Sequence, residues 1–524
     1  MKRSIALASV LFTPSAFSYV WPNPKLDEIE AHRYDHFGYN AKVLIPSGVT
    51  PCTNFGFGDN TQRSNAADWI RTTFHDMAPH DAKAGTGGLD ASIRFKEEQS
   101  RAENAGDDFS NTLRFLLPGG NRYISLADVL ALGAVTAFEL CGGPPVAFRG
   151  GRVDAAEPNS AGIPQPQEDI QTTVDIFARQ GFTPKEPRRQ VSFPEIVPAS
   201  AVTANNTQGN VAFDSTSFHF DNKVATEYLA GTATNPLAFS HNETTNSDKH
   251  IFQVDGNATM SSFAKSPELF SATCADLFAR MVDTVPRGVE LTEVIQPLPV
   301  KPKQAQLGYM RDDTLRLSGG VRVHADDVHV KVHWADRHGN ACDGCVATMN
   351  RTEDMVGLFN NSAHQALWYT FNATDTEFIT VSPETSISKV WFEVERADGT
   401  ATVEDQTGTG FPIQDVVMLA NSTCFPLTSN PQTLHMDFVI RADVTPSRVY
   451  YEWDSFNDTS APILVTEDVP PLNATTTKGS YVQWFGAQGP TTRSFSTFNL
   501  AVDTSDGKKY TTPIFRPFDF PNCS

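Results

Sequence analysis

Through the first half of the chain the apolar positions recur three and four residues apart, and beyond about residue 300 they alternate. Ile70, Phe74 and Met77 make one helical stripe, Ile170, Val174, Phe177 and Ala178 a second, and Phe270, Cys274, Leu277, Phe278 and Met281 a third. Ser125 followed by Asp128 predicts a capped helix that runs to Leu140 and is stopped by Gly142-Gly143. That helix is apolar almost all round, so it is expected in a core. After a proline-rich stretch at 297–302, Val328, Val330 and Val332 alternate with His329, Lys331 and His333. Similar runs cover 390–395, 436–441 and 448–453, with turn signals such as Asp398-Gly399 between them. The pattern predicts a multidomain chain: a mainly α region over 19–296, a linker over 297–304, and an all-β, sandwich-like region over 305–524.

Composition narrows the partners. The 524 residues carry 41 Lys and Arg against 61 Asp and Glu, and a net charge of −20 would repel a phosphate backbone, so nucleic acid is excluded as a partner. Met1-Lys2-Arg3, the short apolar run from Ile5 to Phe12 and the small residues Ala16 and Ser18 read as a signal peptide over 1–18. The run is far short of the roughly 20 apolar residues of a membrane span, so the expectation is secretion without a membrane anchor. Asn-x-Ser/Thr sequons, among them Asn205, Asn350 and Asn421, agree with a secreted glycoprotein.

The chemistry gathers in Trp69-Ile70-Arg71-Thr72-Thr73-Phe74-His75-Asp76-Met77. On a helix Arg71 and His75 share a face, and the pair suits peroxide chemistry: neutral His takes and returns a proton while Arg stabilises developing negative charge. Asp76 follows directly, Gly88-Leu89-Asp90-Ala91-Ser92 offers hard oxygen ligands at alternating positions, and Glu98 and Asn104 come next. This order of motifs resembles the distal heme side of the plant, fungal and bacterial heme peroxidase superfamily, in particular its secreted fungal members. The resemblance implies a mainly α heme-peroxidase fold with His75 as acid and base, Arg71 as its partner, Asn104 orienting the His75 ring, and Glu98 behind it. It implies a distal calcium held by Asp76, Gly88, Asp90 and Ser92.

The resemblance continues through Phe148-Arg149-Gly150-Gly151-Arg152-Val153-Asp154-Ala155 and Ile163-Pro164-Gln165-Pro166, where Pro164 matches the residue lining the heme entrance. Asp214, Thr216 and Asp221, with the carbonyl of His219, are similar to a proximal calcium segment, and Asp255 is similar to the Asp that accepts a hydrogen bond from the iron-ligating His. The resemblance covers about Asn65 to Val285. It implies heme b, two Ca²⁺, hydrogen peroxide and a small reductant, phenolic or lignin-related.

One element of that pattern is missing. Thr183, Pro184 and Glu186 announce a helix, but Pro187 and Arg188-Arg189-Gln190 lead straight to Val191-Ser192-Phe193-Pro194 with no apolar stripe. No His lies between His80 and His219, so no heme axial ligand is found. A lost segment of several turns is the expected explanation. Of seven cysteines, Cys52, Cys141 and Cys274 fall in the helical region and Cys342, Cys345, Cys424 and Cys523 in the β region, with Cys141 read as the one left over. The second reading is a heme-deficient, calcium-stabilised scaffold whose β region binds cell-wall polysaccharide. Trp334, Trp391, Trp453 and Trp484 are the aromatics it would use, against the expectation that they pack in cores.

Overall fold

The computed structural model describes residues 23–36, 41–53, 64–160, 162–164, 168–182, 211–239, 246–325, 328–359, 362–373, 379–426, 433–469, 476–491, 497–516 and 519–523. The expected signal peptide and the segment from Thr183 to Pro194 lie outside the described residues. Helices α1 (Pro24–Tyr34), α2 (Leu44–Val49), α3 (Asn65–Met77), α4 (Lys96–Gln99), α5 (Asp108–Leu116), α6 (Leu126–Leu140) and α7 (Ile170–Arg179) come first. They are followed by α8 (Lys223–Ala230), α9 (Pro236–Phe239), α10 (Ser247–Phe252), α11 (Ala258–Lys265) and α12 (Pro267–Val282). Among the described residues no helix is long and apolar enough to cross a membrane.

The centre of the helical part is α6. Ser125 Oγ accepts from the Asp128 N–H at 3.0 Å, and each residue from Leu126 to Glu139 is buried, as its all-round apolar sequence requires. Gly142 ends it at φ +95°, and the Gly143 N–H returns to the Phe138 carbonyl at 2.9 Å. Glu139, charged and buried near that end, is matched by Arg33 of α1, which donates to both of its oxygens at 2.6 and 2.7 Å.

The remainder is antiparallel β. Strands β1 (Val300–Tyr309), β2 (Leu315–Val323), β3 (Val328–Ala335), β4 (Ala341–Phe359), β5 (Ser362–Ala373), β6 (Thr380–Val381), β7 (Lys389–Arg396), β8 (Ala401–Glu404) and β9 (Phe411–Pro412) form one sheet. Its order is β1-β2-β5-β4-β3-β7-β8, with β6 on β2 and β9 on β7. The long β4 pairs with β5 along one part and β3 along another. Leu317, Val321 and Phe371 thereby meet Val330, Val390 and Phe392 in a single core. Strands β10 (Val417–Leu419), β11 (Thr433–Arg441), β12 (Pro446–Phe456), β13 (Pro462–Asp468), β14 (Thr476–Lys478), β15 (Tyr481–Thr491), β16 (Phe498–Thr504) and β17 (Lys509–Thr511) make two smaller sheets, β10-β11-β15-β14 and β13-β12-β16-β17. Met436, Phe438 and Ile440 of one pack with Tyr451, Leu500 and Val502 of the other, a second sandwich. The sheet begins inside the expected linker: β1 starts at Val300 and carries Pro302, which an edge strand tolerates.

The helical and β parts are joined through buried charge. Glu30 of α1 meets Lys301 Nζ at 2.6 Å and pairs with Arg322, which also pairs with Asp35; both cations are fully buried. Arg122 adds a second junction, donating to Asn499 Oδ1 at 2.7 Å and, from its backbone, to Asp454 at 2.9 Å. Disulfides join Cys52 to Cys141, Cys342 to Cys345 and Cys424 to Cys523. Cys141 is therefore bonded, contrary to the sequence expectation, because the turn after α6 lies beside the segment that follows α2. Cys274 is the cysteine outside these three bridges. Trp334, Trp453 and Trp484 pack against the sandwich cores, as expected of strand aromatics.

Candidate active site

The site is built on α3. Ser64 caps it by accepting from the Ala66 N–H at 3.1 Å, and Trp69 seats it on α6. The Trp69 ring lies in the notch at Gly133, where an added Cβ would stand 2.1 Å from a ring carbon, and its indole N–H donates to the Gly48 carbonyl at 3.1 Å. With Trp69 committed to α6, the helical period turns Arg71 and His75 together toward α5 and the segment around Asn104.

His75 is buried. Its Nδ1 lies 2.6 Å from Asn104 Oδ1, and Asn104 Nδ2 donates to the Glu98 carbonyl at 2.6 Å. The Glu98 oxygen can only accept, which fixes the amide orientation; Asn104 Oδ1 then accepts from Nδ1–H, leaving the lone pair on Nε2. Burial first, and the Arg71 charge second, hold the imidazole down at about 3, so it is neutral at neutral pH. The Glu98 side chain accepts from the Asn159 N–H at 2.5 Å, and burial pushes its carboxyl up.

Arg71 shares that face of α3 with His75, both packing on Phe109. Its guanidinium pairs with Asp108, donates to the Ala105 carbonyl at 3.0 Å, and lies 4.9 Å over the Phe109 ring. The Phe109 ring also packs edge-on to His75 at 5.2 Å. Sequence reasoning missed Asp108. The available signal was an acid opening a helix whose next residue is Phe, close in sequence to Asn104.

The expected distal calcium residues do converge. Asp76 accepts from the N–H groups of Asp90 at 3.0 Å, Ala91 at 2.8 Å and Ile93 at 2.8 Å, and Ser92 Oγ lies 3.4 Å away. Asp90 accepts from Ser92 N–H at 3.1 Å and from Asn159 Nδ2 at 3.0 Å to each oxygen. These carboxylate oxygens accept several N–H donors, each oxygen keeping lone-pair capacity beyond them. Among the described residues no three carboxylate, His or Cys groups gather to hold a metal. Asp76, Asp90 and Ser92 are hard oxygen donors of the kind calcium takes, and burial, then repulsion from Asp90, pushes the Asp76 carboxyl well up. Gly88, at φ +122°, is required by packing: a Cβ there would stand 2.8 Å from the Thr284 carbonyl. Pro164 is buried.

On the opposite side, Thr216 Oγ1 lies 3.1 Å from Asp214 and 2.9 Å from Asp221, so the expected proximal set is also internally bonded. The His219 ring packs on Gly142 at the end of α6. Asp255 stands at the entrance to α11, where it accepts from Thr259 N–H at 3.0 Å and Oγ1 at 2.5 Å, a capping role. The deeply buried carboxylate here is Asp248 of α10, which the sequence reading passed over. Asn235 donates to its Oδ2 at 2.9 Å, Oδ1 has no partner, and burial pushes the group up to about 7. Asp248 lies four positions before Phe252, so a carboxyl sharing a helix face with a buried aromatic was the signal.

Between these two sides run two cavities of about 100 Å³ each. One lies under α3 against Ile70, Phe74 and Met77; the other is lined by Asp248 and Phe270, and Cys274 borders both. Phe138, stacked on Phe278 at 4.7 Å and edge-on to Phe220 at 4.9 Å, lines the first of them. The buried His75 held through Asn104 fits the side of a heme group where peroxide would bind, and no described His is bonded to Asp248.

The family model described as Peroxidase matches residues 57–187, ending at the proline where the expected helix stops. A WSC domain-containing protein of Arthroderma benhamiae is 35% identical over 66% of this chain and 49% of its own length. Peroxisomal L-ascorbate peroxidase 5 of Arabidopsis thaliana is 33% identical over 24% of this chain and 45% of its own. Mitochondrial cytochrome c peroxidase of Yarrowia lipolytica is 34% identical over 22% and 36%. The chain spans about half, or less, of the length of these relatives. That match and those relatives give residues 57–187 as a peroxidase-family domain and support the plant, fungal and bacterial peroxidase superfamily as what this chain is similar to.

Proposed function

We propose that this chain is a secreted peroxidase that reduces hydrogen peroxide at the expense of a small, phenolic-type donor. The observation that carries the reading is the chain of hydrogen bonds from the Glu98 carbonyl through Asn104 to His75 Nδ1. It leaves a buried, neutral imidazole with Nε2 free to take a proton from peroxide and return it to the leaving oxygen. Arg71 is the cation placed beside it, and its engagement with Asp108 means that pair must open before the charge can serve an anion. Heme b, which the family implies, would supply the electron chemistry when bound. The test is to express the full chain, titrate it with hemin, and follow the Soret band and peroxide-dependent dye oxidation. His75→Leu should lower turnover by about 10²–10⁴. Undiminished turnover in that variant would refute the role of His75.

A second reading is a heme-deficient scaffold whose β region binds cell-wall polysaccharide, and one observation favours it. Trp391 stacks at 5.6 Å on His333 beside Glu393 and Lys331, on a partly exposed strand face. An aromatic face among polar groups is the surface a sugar ring stacks on. Retention on insoluble cell-wall polysaccharide that is lost in Trp391→Ala supports this reading; equal retention removes it.

A further inference from the structure

Asn421 opens an Asn-Ser-Thr sequon just after β10, and it is exposed. The backbone around it is fixed on both sides. The Asn421 N–H donates to the Tyr309 carbonyl at 2.9 Å, and the Thr423 hydroxyl donates to the Asp437 carbonyl at 2.9 Å while accepting the Asp437 N–H at 3.2 Å. Asn421 lines a groove of about 150 Å³ where the end of β1 meets β11 and β15. Part of that groove is apolar: Met310 and Phe485 line it, and Phe485 is 44% exposed. The rest is polar and already ordered, since Lys478 Nζ donates to Asp313 at 2.8 Å, the Tyr309 hydroxyl donates to Asp313 at 2.8 Å, and Gln483 donates to the Tyr309 hydroxyl at 2.8 Å. A sugar ring is built the same way, with a C–H face that stacks on an aromatic ring and hydroxyls around its rim. A volume of about 150 Å³ holds one six-membered ring, so the groove takes a single sugar.

We propose that Asn421 carries an N-linked glycan whose first N-acetylhexosamine lies in this groove, its C–H face on Phe485 and its hydroxyls toward Lys478 and Gln483. The linkage forms between Asn421 Nδ2 and the anomeric carbon of a glycosyl diphosphate donor. The bond from that carbon to the diphosphate breaks, the amide gives up one proton, and no atom changes oxidation state. This proposal rests on the secretion contained in the function proposed above, because only a chain in the secretory route meets such a donor. It is independent of heme and of the role of His75.

The full chain is secreted from a eukaryotic host, and mass spectrometry of its glycopeptides reads which sequons are occupied. The folded protein is then treated with an amidase that removes N-linked glycans, and release is timed at each occupied sequon. Asn421 is expected to be occupied, and its glycan to leave about threefold to tenfold more slowly than those elsewhere, the factor a single aromatic contact supplies. Phe485→Ser should remove that protection and leave the occupancy of Asn421 unchanged, with circular dichroism establishing that the variant is folded. If that variant is not secreted, the comparison between sequons in the unaltered chain still decides. A bare Asn421 beside occupied sequons overturns the proposal and leaves secretion standing, whereas bare asparagines at all sequons remove secretion with it. Release from Asn421 as fast as from the other sequons, or a rate unchanged in folded Phe485→Ser, also overturns the proposal.

Discussion

Glu30→Gln tests whether the junction between the helical and β parts stabilises the chain through charge. Glu30 is buried against Lys301 and Arg322, both fully enclosed. Burial alone would raise its carboxyl, but the attraction of Lys301 and then Arg322 outweighs it and holds the group down from 4.5 to about 2. At about 1.36 kcal/mol per pH unit, that displacement is worth about 3 kcal/mol. Removing one partner of a buried ion pair costs about 3–5 kcal/mol by mutagenesis in other proteins, which agrees. Because the folded-state carboxyl is the more acidic, the contribution is whole above pH 4.5, declines as pH falls, and is gone near pH 2. Urea unfolding followed by tryptophan fluorescence at pH 7 and pH 3 should show Glu30→Gln destabilised by about 3 kcal/mol at the higher pH and by much less at the lower. A loss under about 1 kcal/mol at pH 7, or the same loss at both values, would refute the electrostatic account.

Further outcomes follow from the same structure. Asp248 has the opposite sign: its folded-state carboxyl is raised to about 7, so the stability it contributes is present below pH 3.8 and lost as pH rises through 7. Asp248→Asn should therefore match the parent in acid and exceed it above pH 7, read as the difference in urea unfolding free energy across that range. Gly133→Ala drives a methyl into the Trp69 ring and should cost about 1–3 kcal/mol, with the change visible in tryptophan fluorescence. Asp108→Asn removes the buried partner of Arg71 and should cost about 3–5 kcal/mol in chemical unfolding; an unchanged midpoint would show that the pair is not held in solution.

The elements legible in the sequence were those set by neighbours along the chain. The Ser125 cap, the all-apolar α6 and its glycine stop needed only local rules, and the structure has them where the pattern placed them. The alternation after residue 300 announced antiparallel sheets, and the spacing of Arg71 and His75 announced a shared face. The meeting of His75 with Asn104 came through family resemblance, since 29 positions separate them.

What the sequence could not decide was partnership between distant residues. Asp248 and Asp255 are both acids seven positions apart, and only burial separates the enclosed carboxylate from the one that caps α11. Arg71 reads the same whether its guanidinium faces peroxide or Asp108, and Cys141 reads as a leftover until the turn after α6 is seen beside Cys52. The acids of α1 look like a solvated helix face, yet Lys301 and Arg322, some 270 and 290 positions away, enclose them. Periodicity and capping are short-range properties of a backbone and are written in consecutive residues. Charge pairing, cavity shape and desolvation depend on which surfaces the fold brings together, and only the tertiary structure settles them.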